Sequence, residues 1–175
     1  SAAAGAMTWM FYEWIKFGKP TALGSVTGMV AGLGTITPAS GFVGPSGALV
    51  IGIIAGAVCF NAVIIIKQKF KIDDSLDVFP VHGVGGICGT ILVGFFASKE
   101  LGIFSGQGGW SHEAIVISDQ LQIQLTAVVA TAAYTALATF VILKIVDVVT
   151  GLRVDSQTET QGLDLDSHGE TGYNL

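Results

Sequence analysis

The chain contains apolar stretches long enough to cross a lipid bilayer, and this feature restricts its possible folds more than any other. The clearest is Val78–Ala97, with the sequence VFPVHGVGGICGTILVGFFA, which contains no Asp, Glu, Lys or Arg. Its length is that of one helical crossing, since about 20 apolar residues span the hydrocarbon core. A stretch of this kind therefore predicts a transmembrane helix.

Five such segments can be distinguished. They are a helix ending near Trp14, Leu23–Thr37, Ser46–Ile66, Val78–Ala97 and Ile123–Val149. They predict an all-α, polytopic membrane protein, with a transmembrane domain over residues 1–150 and a cytoplasmic tail over residues 151–175. In the first segment, Trp9, Tyr12 and Trp14 are predicted to lie at the membrane interface, where aromatic side chains are enriched. Ser1–Phe17 has the composition of a helix from its first residue, which is expected of the C-terminal part of a longer protein.

The composition supports a membrane location. Charged residues make up 12% of the chain, against about 25% in a soluble domain, and the mean hydropathy is +0.68. The net charge of −5 comes mainly from the tail, where Arg153 is the single basic residue against five acids. Nothing in this charge pattern indicates binding to nucleic acid. Lysines follow the first and third segments, and Lys144 and Arg153 mark the end of the fifth. This alternation of basic residues from side to side predicts a cytoplasmic C-terminus.

Small residues predict how the helices pack. Glycines recur at four-residue spacing in three segments: Gly24, Gly28 and Gly32; Gly52 and Gly56; Gly85 and Gly89. Such faces let helix backbones approach closely in a membrane, so these glycines are interpreted as packing positions. The two cysteines, Cys59 and Cys88, lie in apolar stretches and are interpreted as small buried hydrophobes. No spacing of Cys, His or acids indicates a disulfide framework, a metal site or a bound cofactor.

One ionisable residue, His82, lies inside the uncharged stretch. Ionisable side chains at that depth usually face a partner or an aqueous path, so His82 is a candidate conduction or proton-handling residue. The alternative is a histidine whose ring nitrogens are satisfied by neighbouring backbone. The preceding acids Asp73 and Asp74 are interpreted as caps of the His82 helix, and Asp77 lies five residues before the histidine. No nucleophile or metal partner for His82 is evident, so an enzyme is not predicted.

The tail has a pattern of its own. Gly151-Leu152-Arg153-Val154 is followed by polar residues and then by Gly162–Glu170, in which leucines alternate with acids between flanking glycines. This pattern favours a segment that docks onto another surface. A solvated, disordered tail is the alternative that composition alone favours.

Several of these motifs together resemble the ammonium transporter family. They are Asp-Asp-x-x-Asp-Val-Phe-x-Val-His-Gly (Asp73–Gly83), Gly-Lys-Pro (Gly18–Pro20), Ile-Thr-Pro-Ala-x-Gly (Ile36–Gly41), Gly-Ala-Leu-Val-Ile-Gly (Gly47–Gly52) and the tail Gly-Leu-Arg-Val…Glu-x-x-Gly-Leu-Asp…His-Gly-Glu. They occur in order and cover essentially the whole chain.

The resemblance implies a homotrimer of eleven-helix protomers in the plasma or inner membrane, each protomer with a narrow hydrophobic pore for ammonium or ammonia. This chain would run from the middle of helix seven to the C-terminus. His82 would be the second of the family's paired pore histidines. Asp77 and Val78 would line or support the cytoplasmic side of the pore.

The resemblance also implies a regulatory tail that meets the P-II signalling protein in bacterial and archaeal members. The tail residues that match are Gly151, Arg153, Gly162, Asp164, His168, Gly169 and Glu170. Plant relatives carry a regulatory threonine where this chain has Asp166, which argues against phosphorylation control there. Two other functions stay open: an ammonium sensor that acts through P-II binding, and a Rhesus-like gas channel.

Overall fold

The computed structural model describes residues 1–97, 103–104 and 116–170, and in these ranges the chain is helical without strands. The helices are α1 (Ala2–Phe17), α2 (Ala22–Ile36), α3 (Pro45–Ile64), α4 (Gly85–Phe96), α5 (Ile117–Val149) and α6 (Ser156–Gln161). Three π-helical turns accompany them, at Ile65–Lys69, Phe79–Val84 and Asp164–His168. The chain divides into two compact units, Ser1–Val129 and Ala130–Leu175. The predicted domain boundary at residue 150 stays a prediction.

Four helical segments are long and apolar enough to cross a membrane. They are Ala22–Ala39, Pro45–Lys69, Phe79–Phe96 and Ile117–Val149. Three of them agree closely with the predicted segments, whereas α5 begins six residues earlier than the sequence analysis expects. The first predicted segment forms the 16-residue α1. The predicted all-α, polytopic membrane fold is therefore confirmed.

Glycines bring the helices of the first unit into close contact. A Cβ atom built at Gly28 on α2 would lie 2.8 Å from the carbonyl oxygen of Gly5 on α1. On α3, a Cβ at Gly56 would lie 2.8 Å from the same oxygen. The backbones of α2 and α3 thus both approach α1 at a distance that no larger residue allows. The predicted packing function of these glycines is confirmed.

Aromatic side chains fill the space between α1 and α3. Trp9 is 4% exposed, and its ring meets the ring of Phe60 edge-on, with the centroids 5.3 Å apart. Tyr12 packs against the same Phe60 ring, at 5.2 Å. Trp9 therefore belongs to the buried core between the helices, whereas Trp14 is 65% exposed. The predicted location of these residues at the membrane interface stays a prediction.

Two glycines three residues apart on α4 test the packing argument. A Cβ at Gly89 would collide with the carbonyl oxygen of Thr35 on α2, whereas a Cβ at Gly86 meets nothing within 4 Å. We expect Gly89→Ala to destabilise the chain by about 1–3 kcal/mol, the usual range for overpacking. Gly86→Ala should instead stabilise it by about 0.5–1 kcal/mol, because alanine restricts the unfolded chain and favours helix. Thermal unfolding in detergent measures both, and equal shifts would contradict the packing assignment.

Candidate functional site

His82 lies on a π-helical turn, Phe79–Val84, which we call the His82 turn. Pro80 stands at the beginning of this turn, where a missing backbone N–H is tolerated. The turn continues directly into α4 at Gly85. Single π turns within α-helices occur frequently at functional sites, since the wider turn displaces side chains from their regular α-helical positions. The histidine is therefore carried by an irregular segment of an otherwise regular crossing.

The imidazole of His82 is exposed in this chain. Its Nδ1 atom lies 4.0 Å from the position that a Cβ would take at Gly34 on α2, so the backbone of α2 passes beside the ring. Within residues 1–97, neither ring nitrogen makes a hydrogen bond. The alternative of a histidine satisfied by neighbouring backbone thus receives no support from the geometry. The ring is available to a ligand or to another protein segment.

The other two predicted pore residues separate into different environments. Val78 is 52% exposed and lies four residues before His82, on the same exposed side of the segment. Asp77 is directed elsewhere, and its Oδ1 atom lies 2.8 Å from the ammonium nitrogen of Lys67 on the π turn Ile65–Lys69. The backbone of Asp77 has φ of 55°, a left-handed conformation that a few non-glycine residues adopt at turns. Of the three predicted pore residues, Val78 and His82 are thus exposed, whereas Asp77 is partly buried beside Lys67.

The carboxylate of Asp74 caps the beginning of the His82 turn. Its Oδ1 accepts a hydrogen bond from the Val78 N–H at 2.9 Å, and its Oδ2 accepts one from the Phe79 N–H at 2.8 Å. These two bonds lower the pKa of Asp74. Within the described part of the chain, Asp73 makes no such contact, since its carboxylate accepts there only from the Ser75 hydroxyl, at 3.4 Å. The predicted cap is confirmed for Asp74 and not for Asp73.

Glu13 on α1 is a polar residue that the sequence analysis does not single out. Its side chain is buried, and its Oε2 accepts a hydrogen bond from the backbone N–H of Thr21 at 2.7 Å, at the N-terminus of α2. It borders a cavity of about 210 Å³ that Lys67 and Asp77 also line. One signal could have found it: Glu13 is the only carboxylate among residues 1–72.

The tail in the second unit is folded locally. Arg153 pairs with Glu159 on α6, with 2.6 Å between Nη2 and Oε1, and the Asp155 carboxylate caps α6 through the Gln157 and Thr158 N–H groups. Gly162 and Gly169 have positive φ, of 104° and 64°.

The remaining predicted tail residues lie around these features. Gly151, with φ of 78°, follows the end of α5. Asp164 and His168 begin and end the π turn Asp164–His168, and the Glu170 N–H donates to the Asp164 carbonyl oxygen at 3.2 Å. The glycines therefore occupy the positions where the backbone must turn, while Leu163 and Leu165 stay about half exposed.

Comparison with known proteins gives a consistent result. The model of the Ammonium Transporter Family matches residues 1–173. The Ammonium transporter of Bacillus subtilis is 45% identical over 173 residues, and Ammonium transporter Amt1 of Archaeoglobus fulgidus is 46% identical over 173 residues. Each alignment covers 99% of this chain and 42% of the relative. The chain thus spans about two fifths of the length of these curated relatives.

Solved structures agree with the sequence comparison. Saccharomyces cerevisiae Mep2 superposes with a TM-score of 0.71 at 35% identity, over 89% of this chain and 35% of that one. A protein described as Sensor Amt Protein superposes with a TM-score of 0.80 at 29% identity, over 95% of this chain and 39% of that one.

The fold and the site together define a multi-pass helical membrane protein with an ionisable side chain on an uncharged crossing. Within this class, the sequence and structural comparisons identify one family. The chain belongs to the Ammonium Transporter Family.

The cap at Asp74 generates a pH-dependent prediction. Because the folded pKa is lowered, the stabilisation is present above the unfolded pKa of about 4 and is lost as the pH falls through the folded value. We expect Asp74→Ala to lower the melting temperature at neutral pH, and the difference from the unmodified chain to shrink below about pH 4. Asp73→Ala is the matched control and should change little. A difference that persists undiminished in strong acid would contradict the cap.

Proposed function

We propose that this chain forms part of a transporter that moves ammonium or ammonia across the cell membrane, with His82 in the wall of the pore. The observation that carries the proposal is the exposed ring of His82 on an uncharged membrane crossing, where it makes no hydrogen bond within residues 1–97. Val78 shares its surface and contributes an apolar lining. Asp77 supports the same end of the segment through its ion pair with Lys67. The named relatives, which are transporters rather than enzymes, support this assignment.

The physics of the substrate explains the need for such a ring. Moving a bare ammonium ion into a low-dielectric interior costs several kcal/mol even after relaxation, so the ion must lose its proton or replace its hydration shell. A neutral imidazole has one donor and one acceptor nitrogen, so it can accept a hydrogen bond from ammonia or take up a proton. A second ring on another part of the pore would allow a proton to be passed on while ammonia moves beside it.

We further propose that the transporter is a homotrimer and that the tail lies in the cytoplasm. The orientation is supported by the lysines at the ends of the predicted first, third and fifth segments, which fall on one side of the membrane. Lys67 and Lys69 at the end of α3 belong to this set. The large exposed apolar side chains of the four spans are suited to lipid or to neighbouring protomers.

Replacement of His82 tests the pore assignment. The test uses the full-length transporter that contains this chain. There we expect His82→Ala to reduce ammonium-evoked current in proteoliposomes about 10²-fold or more, because a proton-transferring group is removed. Asn61→Ala is the control, since Asn61 is another exposed polar side chain on a span, and it bonds only the Ala57 carbonyl oxygen.

Equal current in the His82 variant and the unmodified protein would overturn the assignment. A flux of ammonia without charge movement in the unmodified protein would instead favour a Rhesus-like gas channel.

A second function is favoured by the similarity to Sensor Amt Protein and by the folded tail. In this proposal the tail, Leu152–Tyr173, binds a P-II signalling protein; residues 171–173 lie outside the described ranges. The residues that would form the surface are those matched in the tail, from Gly151 and Arg153 to Gly162, Asp164, His168, Gly169 and Glu170. The caps and turns at Asp155, Gly162 and Gly169 support it, because a preorganised segment loses less entropy on binding.

Truncation after Gly151 separates the two functions. When the full-length transporter is shortened to end at Gly151, we expect it to lose binding of a purified P-II protein, measured by calorimetry. Ammonium uptake in liposomes should persist. Uptake by the untruncated protein would exclude sensing as the sole function. Retained P-II binding after truncation would show that the tail is not the docking segment.

A further inference from the structure

Thr35 on α2 is the one threonine among the described residues whose side chain is buried. Seven threonines donate to the carbonyl oxygen four residues earlier: Thr27, Thr37, Thr90, Thr126, Thr135, Thr150 and Thr160. Thr35 is completely buried, and its Oγ1 makes no hydrogen bond of regular geometry among the described residues, although the Cys59 thiol lies beside it. A buried hydroxyl that forgoes the bond its neighbours make is costly, so its orientation requires an explanation.

The Thr35 hydroxyl points into a junction of three helical segments. A Cβ built at Gly85, the residue that follows the His82 turn, would lie 2.9 Å from Thr35 Oγ1 and 3.2 Å from Cys59 Sγ on α3. Both polar atoms are therefore directed at the same point of the His82 segment. Because Gly85 has no Cβ, there is room beside it for the Thr35 hydroxyl and the Cys59 thiol.

The thiol of Cys59 contacts the His82 turn itself. It donates a hydrogen bond to the carbonyl oxygen of Val81, with 3.9 Å between sulfur and oxygen. Cys59 and Val81 are both almost completely buried, at 0% and 2% exposure. Val81 directly precedes His82, so the thiol holds the peptide group from which the histidine extends.

α2 contacts the same peptide from another direction. A Cβ built at Gly34 would lie 3.9 Å from the Val81 carbonyl oxygen and 4.0 Å from His82 Nδ1. Gly34 and Thr35 are consecutive, so one turn of α2 meets both the histidine and the junction behind it. The His82 turn is thus held between α2 and α3 by a small buried polar cluster, which consists of Thr35, Cys59 and the Val81 carbonyl.

We propose that Cys59 is a positioning residue for His82, which it holds through the Val81 peptide, and that Thr35 acts through Cys59 by fixing its thiol from α2. This inference rests on the proposed transport function. A π turn is a local departure from α-helical geometry, so an external bond to one of its carbonyls favours that geometry over the regular helix. A ring displaced by about 1 Å no longer meets its substrate in line, and such displacements are known to reduce rates by as much as about 10²-fold.

The test uses the full-length protein in proteoliposomes, with the amount of folded protein measured by size-exclusion chromatography. We expect Cys59→Ala to lower the maximal ammonium transport rate about tenfold with an unchanged KM, because substrate binding before the ring is not affected. Cys59→Ser keeps a donor and should restore the rate to within about twofold, since a hydroxyl donates more strongly than a thiol. Cys88→Ala is the matched control, since Cys88 makes no hydrogen bond in the described part of the chain, and should transport as the unmodified protein does.

A second variant covers the case in which Cys59→Ala fails to fold. Thr35→Val keeps the branched shape and removes only the hydroxyl, and we expect it to lower the maximal rate with an unchanged KM. Normal rates in both Cys59→Ala and Thr35→Val would overturn the inference, as would a Cys59→Ser rate no higher than that of Cys59→Ala. Absence of transport in the unmodified protein and in Cys88→Ala would instead overturn the proposed function.

Discussion

The close approach of helices through glycine is the constraint on which the rest of the structure depends. In lipid there is little hydrophobic drive for helices to associate, so van der Waals contact between backbones has to provide much of the attraction. A Cβ at Gly28 would meet Gly5 on α1, and one at Gly89 would meet the Thr35 carbonyl oxygen on α2. The second contact brings α4 against α2 two turns from His82. Because Gly89 has no side chain, α4 can lie against α2, and this contact sets the distance of the His82 turn from α2.

The second constraint is that polar groups need partners. Several polar groups around the His82 segment have one: the peptide N–H groups of Val78 and Phe79 donate to Asp74, and the Asp77 carboxylate forms an ion pair with Lys67. His82 departs from this pattern on the exposed side of its segment, and Thr35 departs from it on the buried side. Both exceptions lie on or beside the His82 segment. Polar groups without a partner are expected at functional sites, where proteins depart from the general rule that polar groups are paired.

The sequence allowed the membrane segments, the packing glycines and the Asp74 cap to be predicted, because each depends on residues close together in the chain. The burial of Trp9, the contact of Glu13 with Thr21, and the pairing of Lys67 with Asp77 depend on how separate helices meet. Periodicity does not carry that information. The π turn escaped prediction for a different reason, since VFPVHGV has the composition of an ordinary helix start, with proline in the first turn.

In the proposed transporter, His82 and Val78 would form only one side of the pore. A pore that excludes lipid needs a wall around its whole circumference, because unsatisfied polar groups facing hydrocarbon cost several kcal/mol each. This chain spans 42% of the length of its relatives, and the exposed surface around His82 is the natural place for a further part of such a protein to pack. In the proposed transporter, α2 and α3 therefore hold the histidine from behind, through Thr35, Cys59 and Gly34, while the opposite wall supplies whatever faces the ring. In this arrangement the proposed positioning contacts all lie within residues 1–97, whereas the His82 ring is exposed.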